Sequence, residues 1–279
     1  MAGYQDLARI LWPAYASRRV LFAGDELLVC EWHCHGEARS WDRLVNPHAE
    51  LDLPRAGLHL RAPTARRQHV IDPATAGFAH AGDEYSRASP TAHPATSTLV
   101  AVRGALADSL VPRRCSRALA VTAAAARLHV RLARTADPLE VEELALALVR
   151  CTLAPEEPRA LPVSPARRRL AEEIEHVIAT RFTDRLTLDA IARLCKTSPF
   201  HASRVFRTVT GETVHRRLTR VRLWNALFQL HRGGRPSQIA LATGFSSHSH
   251  FTSAFRAELG IAPSSVRVPA RRLARAPDA

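Results

Sequence analysis

The sequence predicts an α+β protein, with a strand-rich N-terminal region carrying a helical hairpin, then an all-α C-terminal module holding two helix-turn-helix units. Three observations carry this expectation: short apolar runs alternate with turn residues as far as Val102, prolines interrupt the chain around residues 154–165, and helical periodicity governs everything after them. At 279 residues and 46% hydrophobic content, the chain is long and apolar enough for two packed cores.

From about Val20 to Val102 the extended runs are RVLF, ELLVCEWH, AELDL, GLHLRA, RQHVI, GFAHA and STLVAV. Turn signals such as Asn-Pro, Asp-Pro and Ser-Pro separate them, a spacing that suits a barrel or a sandwich. Between about Arg114 and Leu153 the pattern becomes helical. Leu119, Ala123, Ala126 and Val130 share one face, and Leu139, Leu144, Leu146 and Leu148 form a second segment after Asp137-Pro138, a natural N-cap and first-turn pair. This hairpin could cover one end of the barrel or meet a second copy of the chain. The expected organisation is therefore residues 1–153 as one domain, 154–165 as a linker and 166–279 as the second domain.

Charge separates the same two regions. Residues 166–279 hold 20 Lys and Arg against 8 Asp and Glu, a net +12, whereas residues 1–165 hold 19 against 18, a net +1. A basic module attracts phosphate polyanions, so nucleic acid or an acidic membrane surface are its natural partners, although a GC-rich genome that favours Arg would leave a similar imprint. No run approaches the length of a membrane-crossing helix and the N-terminus does not read as a signal peptide. The five cysteines, Cys30, Cys34, Cys115, Cys151 and Cys195, are odd in number and mostly far apart, which suits free thiols in a cytoplasmic protein.

In the C-terminal module Thr187 can cap a short helix bearing Leu188, Ile191, Ala192 and Cys195, and Ser198-Pro199 opens the next. There Ala202, Val205, Phe206 and Val209 face inward, which turns Phe200, Ser203, Arg204 and Arg207 outward. A second unit repeats the pattern. Ser237 starts a helix with Ile239, Ala240 and Ala242, Gly244 makes the turn, and Ser246 or Ser247 caps a helix whose inward residues are Phe251, Ala254, Phe255 and Leu259. His248, Ser249, Thr252, Ser253 and Arg256 then point outward. Between the units an amphipathic segment from Thr213 to Leu230 would form a rod of about 27 Å, close to the ~34 Å between successive major-groove faces. A helical hairpin with a solvated basic face satisfies either unit alone; two on one rod favour a reader of duplex DNA.

The residues Ile239-Ala240, Gly244-Phe245, Ser249, Phe251, Phe255-Arg256, Gly260, Pro263 and Arg267 resemble the signature of the AraC/XylS family of transcription regulators. Ser198, Arg204, Phe206, Gly211, Arg222-Leu223 and Ala226 add to the likeness. The resemblance implies a seven-helix module whose two recognition helices enter adjacent major grooves, with base contacts from Phe200, His201, Ser203 and Arg204, then from His248, Ser249 and Ser253. It also implies a transcription regulator that is not an enzyme, acts on double-stranded DNA, responds to a small-molecule effector, forms a homodimer and can meet RNA polymerase. Two positions depart from the family pattern: Ser253, where Arg is common, and Arg217, where an aromatic residue is common.

The N-terminal region resembles the cupin-like sensor barrel often attached to this family in general layout. Cys30, His33, Cys34 and His35, followed by Glu37, supply metal-ligand chemistry, but strand alternation sends the cysteines to one face and the histidines to the other. Gly82-Asp83-Glu84-Tyr85 occupies the later cupin position where another His would stand, so no metal or other cofactor is assigned. Trp32, His33, Trp41 and Tyr85 are the candidate effector contacts. No nucleophile motif is visible. The competing class is a metal-dependent cupin enzyme or a DNA-alkylation repair protein fused to a DNA-binding module.

Overall fold

The structure, a computed structural model, describes residues 16–35, 41–64, 67–89, 94–112, 118–153 and 163–266. Arg114, Cys115, Glu37, Arg267 and most of the 154–165 stretch lie outside them. Among the described residues the N-terminal region holds ten strands, β1 (Ala16–Ala23), β2 (Leu27–Cys34), β3 (Asp42–Val45), β4 (Ala49–Ala56), β5 (His59–Thr64), β6 (Arg67–Ile71), β7 (Thr75–Ala79), β8 (Glu84–Ala88), β9 (Ala95–Val102) and β10 (Ala118–Ala120), together with helices α1 (Gly104–Leu110), α2 (Ala123–Leu132) and α3 (Pro138–Thr152). They form two antiparallel sheets, one ordered β1-β2-β9-β4-β7-β10 and the other β3-β8-β5-β6.

Each of the seven expected runs lies within or overlaps a strand, while β3, β8, β10 and α1 were not expected. β3 and β8, DRLV and EYSRA, are short and mix charged with apolar residues, so no apolar run marks them. Leu119 belongs to β10 rather than to a helix, paired with Ala76 of β7. Helix α1 has no side-chain cap of its own; Glu26, far away in sequence, accepts from the backbone N–H of Ala105 at 2.8 Å and of Leu106 at 3.2 Å. In α3 Asp137 caps as expected, but Leu139 is 72% exposed, and the buried stripe is Val141, Leu144, Ala145, Leu148 and Val149.

The two faces of the large sheet differ. Val29, Val100, Leu51 and Phe78 lie side by side across β2, β9, β4 and β7, all buried in one hydrophobic cluster with residues of α2 and α3. The adjacent row, Cys30, Leu99, Asp52 and Gly77, turns toward the small sheet.

Seven helices follow among the described residues: α4 (Pro165–Arg181), α5 (Leu188–Leu194), α6 (Pro199–Thr210), α7 (Val214–His231), α8 (Pro236–Ala242), α9 (His248–Leu259) and α10 (Pro263–Val266). Pro165, expected to end the linker, is instead the first residue of α4, capped by Ser164. The Thr213–Leu230 rod is α7, yet it is not amphipathic. Trp224, Leu227 and Phe228 are buried, and so are Leu218, Leu223 and Leu230 on other sides, because α7 packs against α4, α6, α8, α9 and α10 and also against α2 and β4.

The same cluster that covers the large sheet continues into α4–α10. Polar contacts cross with it. Arg217, buried on α7, donates to Asp72 Oδ2 at 2.9 Å and to Glu175 of α4 at 3.0 Å. Arg220 donates to the Val121 carbonyl at 3.0 Å, and Arg127 of α2 to the Leu259 carbonyl at 2.7 Å. The departure from the family pattern at Arg217 thus has a local reason: two carboxylates, one from each half of the chain, receive the guanidinium.

Candidate nucleic-acid interface

The first helix pair, α5–α6, is set by its caps. Thr187 accepts from the Ala190 N–H at 3.1 Å, Ser198 accepts from the His201 N–H at 3.2 Å, and Pro199 takes the first turn of α6, where no N–H is needed. Between the helices Lys196 adopts a left-handed backbone, φ 51°; its N–H reaches the Arg193 carbonyl at 3.1 Å, and that of Thr197 the Ala192 carbonyl at 2.9 Å. The pair α8–α9 repeats this turn with Gly244, φ 85°, whose N–H reaches the Leu241 carbonyl at 3.0 Å while Phe245 reaches the Ala240 carbonyl at 2.9 Å. Ser247, one of the two expected caps, accepts from the His250 N–H at 3.1 Å. Helix α8 begins at Pro236, not at Ser237, and Arg235 precedes it without a side-chain cap.

Burial follows the predicted stripes. Ala202, Val205 and Phe206 are buried with Val209 half-buried, and Phe251, Phe255 and Leu259 are buried with Ala254 half-buried. Phe200, 77% exposed, stands on the outer face of α6 with His201, Arg204 and Arg207, and Ser203 is half-buried beside them. On α9 His248, Ser249, Ser253 and Arg256 are exposed and Thr252 is half-buried. His250, exposed in the first turn of α9, was not among the expected residues; its signal is a shared offset, since it stands three positions after Ser247 as His201 does after Ser198.

Basic side chains divide into two groups. Three of α7 are engaged inside the protein, Arg217 and Arg220 as above and Arg222 with the carbonyls of Phe182 and Asp184, both at 2.8 Å, while Arg216 is exposed. Among the described residues Arg204, Arg207 and Arg256 form no ion pair, so their charge is turned to solvent on the faces where the two pairs are alike.

The four candidate effector contacts fall in three places. Trp32 lies between the sheets, its ring 3.8 Å from Arg87 Cζ, and Tyr85 lies there too, 4.4 Å from Arg61 Cζ, donating from its hydroxyl to Asn46 Oδ1 at 3.2 Å. Trp41 is 44% exposed and lines a groove of about 450 Å³ with Arg43, Gln68, Glu84, Tyr85 and Ser86. His33 sits on the opposite face of β2 from Trp32, with Nδ1 3.3 Å from Thr96 Oγ1.

The inter-sheet layer also holds residues that were not expected. Arg61 and Asp52 are buried and joined at 3.2 Å, and His59 Nε2 lies 3.2 Å from Asp52 Oδ2 without hydrogen-bond alignment. Burial and the nearby Arg87 hold His59 down at about 4, neutral at pH 7. Although burial opposes ionisation, His59, Arg87 and Arg61 keep the Asp52 carboxyl well below the usual carboxylate range. Cys30 and Cys34 are buried on this side while His33 faces away and His35 is exposed. Among the described residues no group of three or more His, Cys, Asp or Glu could hold a metal ion, and burial, then Glu50, push the Cys30 thiol up to about 12.

Residues 191–268 match the helix-turn-helix domain family. The HTH-type transcriptional activator AarP of Providencia stuartii is 33% identical over 115 residues, 39% of this chain and 85% of AarP. The bifunctional transcriptional activator/DNA repair enzyme AdaA of Bacillus subtilis is 30% identical over 95 residues, 34% of this chain, and the chain spans about half of it, 45%. Among solved structures, the C-terminal domain of AraT, a response regulator from Geobacillus stearothermophilus, is 27% identical with a TM-score of 0.33, covering 38% of this chain and 87% of that one. ToxT of Vibrio cholerae is 12% identical with a TM-score of 0.34, covering 86% and 97%. With AarP 33% identical and matched over 85% of its length, the chain belongs to the AraC/XylS family of helix-turn-helix transcription regulators.

Proposed function

We propose that the chain is a sequence-specific regulator of transcription that reads duplex DNA with α6 and α9, the recognition helices of two helix-turn-helix units mounted on α7. The observation that carries this reading is the pair of outer faces on which Phe200, His201, Arg204 and Arg207, then His248, Ser249, Ser253 and Arg256, stand free of intramolecular ion pairs among the described residues, on helices with matching serine caps. In this reading Arg204 bonds guanine edges, Phe200 meets thymine methyls, Ser203 and Thr252 flank the contacts, and the remaining arginines neutralise phosphates. Residues 1–153 form a cupin-like sensor and dimerisation domain, a linker follows from 154, and the DNA-binding domain begins with Ser164, the cap of α4, rather than after residue 165. Trp32, Trp41 and Tyr85 serve an effector, and His33, on the far side of β2, serves it only indirectly. RNA polymerase is the partner through which an activator of this kind would act, in the cytoplasm.

The rival reading, a repair enzyme using Cys30, asks a buried thiol far above its ordinary range to act as a thiolate. Selection of bound sites from a randomised duplex library by the full-length protein tests the proposal. A recovered motif with two half-sites about one helical turn apart is expected, together with affinity that falls steeply with salt. Absence of any enriched motif, or a flat salt dependence, overturns it.

A further inference from the structure

We propose that the layer between the two sheets is a binding site for a small organic carboxylate, held by the guanidinium groups of Arg61 and Arg87 and the indole N–H of Trp32. The inference rests on reading the N-terminal region as a sensor and names the chemistry of what it senses.

Register brings the two arginines together. Arg61 of β5 and Arg87 of β8 are direct cross-strand partners, so their side chains leave the small sheet side by side on its inner face. Like charges in that relation repel, and with Arg61 buried and Arg87 half-buried an anion that joins them relieves the repulsion. Asp52 supplies part of that charge, through one hydrogen bond to Arg61 Nη2 at 3.2 Å. Glu50 Oε1 is 3.9 Å from the same nitrogen, beyond hydrogen-bond reach, and burial pushes its carboxyl up.

The donor inventory is more telling than the charges. Arg61 Nε and Nη1, Arg87 Nη2, Trp32 Nε1 and Asn46 Nδ2 are all buried without a hydrogen-bond partner, whereas Asp52 Oδ1 is the carboxylate oxygen so placed among the described residues. Arg61 is 2% exposed and Trp32 3%, so water outside the protein does not serve these groups. A site rich in orphaned donors calls for an acceptor-rich guest, and a carboxylate, with about four lone-pair positions in one plane, matches the guanidinium fork.

The aromatic rings orient that fork. Tyr85 lies against Arg61 and Trp32 against Arg87, with the guanidinium carbons 4.4 Å and 3.8 Å from the ring centres. Gly77 of β7 completes the cradle, since a Cβ there would stand 3.1 Å from Arg61 Cζ. Tyr85 also lines the groove with Trp41, which puts Arg61 one ring away from the surface.

The test titrates the full-length protein with sodium acetate and sodium benzoate against sodium chloride at equal ionic strength, following tryptophan fluorescence and the melting temperature. Saturable binding of at least one carboxylate, absent with chloride, is expected. Arg87→Gln and Trp32→Phe should weaken it at least about tenfold, as expected for loss of charge-assisted or buried hydrogen bonds. Glu50→Gln, which removes a competing carboxyl, should bind as well as the wild type or better. If Arg87→Gln does not fold, Trp32→Phe, which keeps a ring over Arg87, decides the matter. No saturable response in the wild type, or equal binding by the wild type, Arg87→Gln and Trp32→Phe, overturns the site. DNA binding measured in the same samples separates the two readings: carboxylate binding that leaves DNA affinity unchanged supports the site but sinks the sensor, and normal DNA binding with no carboxylate binding sinks the site alone.

Discussion

The two helix pairs are one design executed with different residues. Ser198 and Ser247 cap the outer helices, Gly211 and Gly260 end them in left-handed backbone, and Phe206 and Phe255 occupy the same inward position, each pair 49 positions apart. The turns differ. Lys196, in the first, holds a left-handed conformation that suits glycine, in a turn of four residues, 195–198; Gly244, in the second, sits in a turn of five, 243–247. The reading faces differ too, because Ser253 stands where Arg204 does. Scaffold positions are held by steric demand and are alike, while exposed positions are free to diverge, and it is there that the proposed base-reading side chains stand.

The largest expected effect tests the shared scaffold. Phe206→Ala and Phe255→Ala each remove a fully buried ring and should cost about 3–5 kcal/mol in chemical denaturation; a large disparity between them would show that the two pairs do not carry equal shares of the core.

Acid should separate the helix pairs from the sheets. His59 is held at about 4 by burial, below its ordinary 6.5. The unfolded chain therefore takes the proton first as pH falls, so this share of stability is whole above pH 6.5 and is lost on the way down to 4, an effect on the order of 3 kcal/mol. Asp52, held lower still, adds its loss only in stronger acid. Hydrogen exchange across this range should loosen β4 and β5 before α5–α6 and α8–α9, and His59→Gln should flatten the pH dependence.

The turns give the next contrast. At Gly244 a Cβ would lie 2.7 Å from the Phe182 carbonyl oxygen and 3.0 Å from the Arg222 guanidinium, in addition to the cost of positive φ. Gly244→Ala should therefore destabilise by about 2 kcal/mol, whereas Lys196→Gly should leave stability unchanged or raise it by a fraction of that, both read from melting curves. Equal responses would mean the turns are not equivalent.

The reading faces supply the smallest, most specific difference. Arg204→Ala should relax preference at one or two base pairs of one half-site, by about 1–3 kcal/mol, and Ser253→Ala should do less in the other half. A uniform loss of affinity over all sequences would make Arg204 a phosphate clamp. Ser253→Arg should add guanine preference to the second half-site if the two helices read DNA in the same way.

The helix pairs were legible because every instruction is local: a cap and its N–H donor are three residues apart, and the stripe that fixes which side chains face inward repeats within a dozen residues. His250 was visible only through the offset that aligns it with His201. In the N-terminal region the extended runs were legible as apolar stretches between turn signals, but β3 and β8 were not, and α1 depends on Glu26 for its first N–H groups.

By itself, the amino-acid order determined the class of the protein, the position of both helix pairs and the outward set on α6 and α9, since period, caps and turn chemistry act over a few residues. Tertiary structure alone decided which of two alternating rows of each strand is apolar contact and which becomes the charged layer between sheets. Asp52 and Arg61 look like ordinary surface charges until the approach of the two sheets removes them from water, with Arg87 half-buried beside Arg61 through the register of β5 with β8. Tertiary structure also decided that α7 would be buried on several sides and that Arg217 would find Asp72, 145 residues away. A buried charge takes its meaning from partners that the chain brings near only when folded, because electrostatic pairing depends on distance in space and on the loss of solvent, neither of which is written in sequence neighbourhood.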